Sequence, residues 1–167
     1  MARLSLQVVG VFLCMVVACS ASSVAISRKT NNPMTAWLGV SQTRGVVAPI
    51  TRCGGVATPL QLRISGCEGY CRFQPGTVYD CEKDFMPSSP ATSLSLRVEV
   101  CARPLCFTIL TAEIPNSSVQ PGFVYTAKYS IVPNDVFSGQ TIQFYAYIYH
   151  TDSSLLEVCV SADVDIN

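Results

Sequence analysis

Cysteines, a lone histidine and a short run of alternating carboxylates are the side chains of this sequence whose types and spacing could do chemistry. The chain has nine cysteines, and seven of them (Cys53, Cys67, Cys71, Cys81, Cys101, Cys106 and Cys159) lie beyond an apolar amino-terminal run. Cys67 with Cys71 and Cys101 with Cys106 are close pairs of the kind a zinc site uses. The sole histidine, His150, is far from both pairs in sequence. An exported chain also oxidises its thiols, so this density reads instead as a disulfide framework. Seven is odd, so at least one cysteine is free or pairs between chains. Asp80, Glu82 and Asp84 alternate on one strand face, which reads as solvent-facing. Calcium binding or acid–base work would need convergent partners that the sequence does not name. His150 has no Ser-His-Asp or Cys-His spacing around it and ends a strand, as surface histidines do. No catalytic site, no metal site and no cofactor are expected.

The export argument rests on the first residues. Residues 4–26 carry no charged side chain, and Arg3 before them supplies a positive n-region. The most apolar stretch, residues 8–18 (VVGVFLCMVVA), is shorter than the ~20 residues that span a bilayer and fits the h-region of a secretory signal. Ala18, Cys19, Ser20, Ala21 and Ser22 follow as small residues for signal peptidase, and cleavage is expected after Ala21. The alternatives are a retained anchor and a lipoprotein box at Val16-Val17-Ala18-Cys19, for which a single Arg3 is a thin n-region. Removing residues 1–21 takes one arginine from 11 basic residues and none from 11 acidic ones, which leaves a mature charge of about −1. That balance shows none of the basic stripe of a nucleic-acid binder. The remaining length suits one domain rather than two cores, and 49 % apolar with 13 % charged residues is too apolar for a disordered chain.

The elements that must position these residues read as strands. Residues 22–45 are polar without a sustained period and are expected to be a linker or poorly ordered arm, with Trp37 as its lone large aromatic. Residues 46–167 are the expected domain. From residue 46 onward, short β-prone runs alternate with Gly, Pro, Asn and Ser, as in a sandwich or barrel. Residues 46–50 contain Pro49 and suit an edge strand. Leu60, Leu62 and Ile64 alternate with Gln61, Arg63 and Ser65, and Leu94, Leu96, Val98 and Val100 with Ser95, Arg97, Glu99 and Cys101. Phe123, Tyr125, Ala127, Tyr129 and Ile131 form a third inward row. Ile142, Phe144, Ala146 and Ile148 form a fourth, backed by Tyr145, Tyr147 and Tyr149. The last strand material lies at residues 155–160 and 162–166. No window has a helical period outside the amino-terminal run, so helix should be scarce.

Cys53 near the first strand and Cys159 in the last would close a loop of about 105 residues, a cross-link in the range of about 4 to 5 kcal/mol in the chain-entropy account. Cys67 and Cys71 can close a tight loop around Glu68-Gly69-Tyr70. Cys101 and Cys106 flank Ala102-Arg103-Pro104-Leu105, a hairpin turn that brings them within bridging distance. Cys81 is then left over, unless it takes one of that last pair.

Cys53-Gly54-Gly55, a strand ending Ser65-Gly66-Cys67, then Cys71, resembles the opening of the ML (lipid-recognition) domain family. That family includes the small secreted Niemann-Pick type C sterol carriers and the group 2 mite allergens. Gly76-x-x-Tyr79 followed by Phe85 is similar to the family's third-strand pattern. So is Gly122-x-x-Tyr125 leading to Pro133, then an aromatic strand, an acidic turn at Asp152, and Cys159. The resemblance spans residues 46–166 and lies in the shared order of these features. The family's third disulfide, just before the Gly-x-x-Tyr strand, has no counterpart in residues 116–122, so the resemblance does not assign the Cys101 and Cys106 bridge. Cys81 and Lys83 fall on the face of Tyr79 and Phe85, where relatives are apolar. Either a bulge turns Lys83 outward, the preferred reading, or it sits at a pocket mouth where it meets a polar headgroup.

The resemblance implies an all-β fold: an immunoglobulin-like β-sandwich of two antiparallel sheets, disulfide-stapled, with an apolar pocket between them. It implies a secreted, non-enzymatic lipid-binding or transfer protein for a sterol or another single hydrophobic lipid, such as a fatty acid or phospholipid. The lining expected from the inward rows is Tyr79, Phe85, Val98, Val100, Phe107, Ile109, Phe123, Tyr125, Phe144, Ala146 and Ile148. Tyr125 falls on the family's pocket tyrosine, where its hydroxyl would orient a polar end. The alternative is a protein-interaction or innate-immune lipid-sensing module of the same fold, served by the tyrosine row. A monomer in the extracellular space or the endosomal-lysosomal lumen is expected, with transient contact to a membrane or a lipid-handling receptor. Asn116-Ser117-Ser118 is a glycosylation sequon on a loop.

Overall fold

Alternation of apolar and polar side chains becomes two facing sheets. The computed structural model describes residues 25–28 and 44–167, so the expected signal peptide, Cys19 and Trp37 lie outside the described residues. The strands are β1 (Ala25–Arg28), β2 (Arg44–Val46), β3 (Thr51–Gly54), β4 (Thr58–Ser65), β5 (Cys71–Phe73), β6 (Tyr79–Met86), β7 (Leu94–Ala102), β8 (Leu105–Ile114), β9 (Tyr125–Ile131), β10 (Gln140–His150) and β11 (Leu156–Ile166). A single 3-10 turn at Asp135–Phe137 is the helical element of the described residues. The smaller sheet runs β1-β9-β6-β4-β2, and the larger runs β3-β11-β10-β7-β8, with β5 also on β11. Every pairing between these strands is antiparallel except β5 with β11. The chain is an all-β sandwich.

Several elements differ in detail from the sequence reading. Residues 25–28, inside the stretch read as a linker, pair with the edge of β9. The expected edge strand at 46–50 is shifted: β2 ends at Val46, and Pro49 lies where the chain crosses to β3 in the other sheet. Pro49 therefore costs no ladder bond. Leu60 is exposed, unlike Leu62 and Ile64, because an extra residue between the pairs Pro59/Phe85 and Leu62/Lys83 bulges the strand and turns it out of the row. Phe123 precedes β9 and is also exposed. The last strand material is one continuous strand, β11.

The remaining inward rows bury as alternation requires. Leu94, Leu96, Val98 and Val100 from β7, and Ile142, Phe144, Ala146 and Ile148 from β10, face Tyr125, Ala127, Tyr129 and Ile131 of β9 across the core. Full burial of one large apolar side chain is worth about 1.5–3 kcal/mol, so these rows hold the two sheets together.

Three disulfides fasten this frame. Cys53 and Cys159, 106 positions apart in sequence, join the neighbouring strands β3 and β11 with Cα atoms 5.0 Å apart. Gly55 beside this bridge has φ +95°, and any Cβ there would strike the Glu157 carbonyl. The backbone approach thus explains the Gly in Cys53-Gly54-Gly55. Cys67 and Cys71 (Cα–Cα 4.9 Å) staple the point where the chain leaves β4 for β5. Cys101 and Cys106 face each other directly across the β7–β8 hairpin at 4.0 Å. Cys81 is the free cysteine, and it is buried.

Candidate functional site

Where the two sheets part, at one end of the sandwich, they leave an apolar cavity of about 70 Å³. Phe73, Ile131, Ile142, Phe144 and Ile166 form its buried walls, with Val100 from β7. Ile109, Val132, Pro133, Asn134 and Phe137 form its rim. The strand register explains this convergence. Val100 pairs with Phe144 on one side and Phe107 on the other, so the carboxyl end of β7 and the amino end of β10 meet here. Between Val98/Leu110 and Glu99/Thr108 the edge strand β8 holds one extra residue, Ile109. A bulge re-aims its side chain, and Ile109 turns into the cavity wall. Around the opening, Leu105, Phe107, Ile109, Val132 and Val136 are exposed, and the Phe107 and Phe137 rings lie 6.3 Å apart.

Of the expected lining residues, Val100, Ile109 and Phe144 come together at this cavity. Phe107 stands on its rim, 48 % exposed. Tyr79 is buried behind the wall, its ring centroid 4.4 Å from that of Phe73, whereas Phe85, Val98, Tyr125, Ala146 and Ile148 are buried in the core outside the cavity and Phe123 is exposed elsewhere. Ile131 and Ile142 belong to inward rows visible in the sequence, yet their place at a strand end is a matter of register. Phe73 and Phe137 lie outside any sustained alternating run, whereas Ile166 ends one, Ala162, Val164 and Ile166 against Asp163 and Asp165.

Both Gly-x-x-Tyr motifs have a local explanation. Tyr79 Oη accepts from the backbone N–H of Gln74 at 2.8 Å, and Tyr125 Oη from that of Gln120 at 3.0 Å, each five residues upstream. These are tyrosine corners: the hydroxyl satisfies a turn that the glycine lets reverse. Tyr125 packs on Phe85 with ring centroids 6.4 Å apart, at the end of the sandwich opposite the cavity.

The polar residues split by face. On the outer face of the smaller sheet, Arg63 binds Asp84 at 2.7 Å and Glu82 at 3.1 Å. Arg44 and Lys128 also reach Glu82. Despite burial, which pushes it up, the hydrogen bond from Arg63 and the neighbouring cations hold the Glu82 carboxyl below its usual value. Asp84 is nearly buried, so this face is a closed charge network rather than a free carboxylate row. His150 is not a surface residue: it is buried and lies 2.7 Å from Glu157 Oε1. Glu157 is 0 % exposed and also accepts from Ser88 N, Ser88 Oγ and Ser89 Oγ at 3.0–3.3 Å. Both serines bond the carboxylate, and among the described residues no hydrogen bond links either to His150, so the group is arranged as a clasp rather than as a nucleophile–base relay.

Lys83 corrects a second expectation. The β6–β9 register runs unbroken from Tyr79 to Phe85, so no bulge turns Lys83 outward. Its side chain enters the core, 1 % exposed, and Nζ donates to the Leu60 carbonyl at 2.9 Å. The bulge lies instead in β4, and the lysine satisfies a carbonyl there. Burial lowers the amine to about 8, with Asp84 opposing the change. Beside it on the same inner face, burial pushes the Cys81 thiol and the Tyr129 hydroxyl well up.

No family model matches the sequence, and no curated protein sequence matches it. Its three-dimensional likeness is to a Niemann-Pick type C2 protein from Japanese carpenter ant. The two agree with a TM-score of 0.60 at 12 % identity, over 71 % of this chain and 98 % of that one. The N-terminal domain of PorA matches at a TM-score of 0.22 and 9 % identity, covering 64 % of this chain and 98 % of that one. The architecture is therefore an ML-type β-sandwich. Its particular form is the Niemann-Pick type C2 fold, in agreement with the order of motifs along the chain.

Proposed function

We propose that this protein is a secreted, non-enzymatic lipid carrier that takes one hydrophobic lipid, a sterol or another, into the cleft between its sheets. The observation that carries this reading is the apolar cavity with its exposed apolar rim, in a fold shared with a Niemann-Pick type C2 protein. Ligand pockets for drug-sized molecules measure about 300–1,000 Å³, so a lipid must enlarge the cavity. Rim side chains such as Phe107 and Phe137 would swing outward to admit it. Each methylene then buried contributes about 0.8 kcal/mol, and no catalytic group is needed. The disulfides and the amino-terminal apolar run support export, in the extracellular space or the endosomal-lysosomal lumen. The exposed rim would touch a membrane or a lipid-handling receptor during transfer.

The interaction-module reading has less support. The Tyr145 and Tyr147 hydroxyls are already bound to Gln143 and Glu99, and Arg97 covers the Tyr147 ring at 4.6 Å. The test is organic extraction of natively purified protein followed by mass spectrometry, together with titration of a fluorescent sterol and a fluorescent fatty acid. A stoichiometric lipid or saturable binding is expected. An empty extract with no binding of either probe sinks the carrier reading.

A further inference from the structure

Lys83 is a cation buried without a counter-ion. Among the described residues no carboxylate lies within ion-pair distance of its Nζ, and one carbonyl serves its three donors. A buried charge is costly unless paired. Two positions along the neighbouring strand, the Tyr129 hydroxyl is buried beside the Cys81 thiol and, among the described residues, has no oxygen or nitrogen partner. The register relates both groups to the cavity. Tyr79 pairs with Ile131, a cavity wall, Cys81 with Tyr129, and Lys83 with Ala127. Lys83 thus lies four residues inward from that wall, roughly 13 Å at the strand rise. Between that wall and Lys83 the inner face carries the pair Cys81 and Tyr129, one small and one large, both buried. A chain that reaches Lys83 from the cavity therefore has to turn the Tyr129 ring aside, which brings its head past the Tyr129 hydroxyl.

We infer that the ligand enters head first and is a single-chain lipid with a carboxylate head, a fatty acid, whose carboxylate pairs with the Lys83 ammonium and accepts from the Tyr129 hydroxyl. The acyl chain then runs beside the displaced Tyr129 ring into the cavity, and its tail lies at the apolar rim. This rests on the carrier reading and adds to it a headgroup and a direction. The lowered value of the Lys83 amine, about 8, leaves it mostly protonated at neutral pH, and a bound carboxylate would raise it.

The experiment is displacement of the neutral probe N-phenyl-1-naphthylamine by dodecanoate, dodecanol and methyl dodecanoate, on wild-type protein and on Lys83→Met. Wild type should prefer dodecanoate over both neutral lipids by roughly tenfold, the scale of a charge-assisted hydrogen bond. Lys83→Met should reduce that preference to about twofold or less, and Tyr129→Phe should reduce it by a smaller factor. If Lys83→Met does not fold, Lys83→Gln carries the same comparison. Equal affinity for the three lipids in wild type, or an unchanged preference in the lysine variants, overturns the inference and leaves the carrier reading standing. No binding of the probe or of any lipid removes both.

Discussion

At one end of the sandwich a carboxylate, two serines and a histidine occupy one another's hydrogen-bonding capacity. At the other, apolar side chains from several strands face each other across about 70 Å³ of unfilled space. The polar end is sealed by Glu157, and Ser117 adds to it by accepting from Leu94 N at 2.6 Å and donating to Leu94 O at 3.4 Å. Each of these bonds needs one geometry, and a donor left behind is costly. The apolar end depends on contacts that are individually weak and non-directional, so a ligand can replace them with its own. The difference teaches that a sandwich can be fixed at one end and adaptable at the other without a hinge between them.

The largest expected effect lies at the sealed end. Glu157→Ala strands Ser88 N, Ser88 Oγ, Ser89 Oγ and the His150 ring together, and should cost about 3–5 kcal/mol in denaturant unfolding. A loss under about 1 kcal/mol would show that the clasp does not hold this end.

Next comes the buried amine between the two ends. Lys83→Met should stabilise the protein, because it removes a charge whose burial is uncompensated. The folded value of about 8 lies below the unfolded 10.5, so the unfolded chain binds more protons between these pH values. Wild-type stability therefore rises with pH across that window. The gain of the variant should be about 3 kcal/mol below pH 8 and should fade by about pH 10.5. A gain that does not change with pH would mean that the ammonium is not buried as a charge.

Ile109→Asp, at the open end, should separate binding from folding. Stability should change by about 0.5 kcal/mol or less, since Ile109 is 47 % exposed on an edge strand. Affinity for a fluorescent lipid should fall about tenfold, because a charge enters an apolar wall. Unchanged affinity would move the ligand elsewhere.

The smallest effect is expected at Asn116, exposed on the loop after β8, whose preceding residue Ile114 pairs with Leu94 at the sealed end. In protein expressed through a eukaryotic secretory pathway, Asn116→Gln should remove one glycan by mass and leave lipid affinity within about twofold. A large change in affinity would break the spatial separation of the two ends.

Much of the frame was legible because period-two alternation reports burial directly: β7, β9 and β10 have inward rows where their residue types place them. Strand position offered Cys53 with Cys159 and close spacing offered Cys67 with Cys71, both of which form, while the choice among Cys81, Cys101 and Cys106 stayed open until the β7–β8 hairpin placed the last two face to face. What escaped depends on one-residue insertions and on contacts distant in sequence. The bulge at Ile109 shifts the parity of β8, and the bulge at Leu60 exposes a leucine and supplies the carbonyl that holds Lys83. Neither leaves a mark in composition. His150 looked like a surface residue because its partner, Glu157, is across a turn in the next strand. The Gly-x-x-Tyr motifs were visible, but their physical reason, a hydroxyl closing its own turn, required the backbone.

The central claim, that lipid occupies the open end, is tested most directly by photolabelling with diazirine-bearing sterol and fatty-acid probes and mapping the modified peptides. The account predicts labels on peptides containing Phe73, Ile109 and the Val132 to Phe137 stretch, reduced by excess unlabelled lipid. Labels confined to the Glu157 end or to the Tyr145 and Tyr147 face, or no competable label at all, would contradict it.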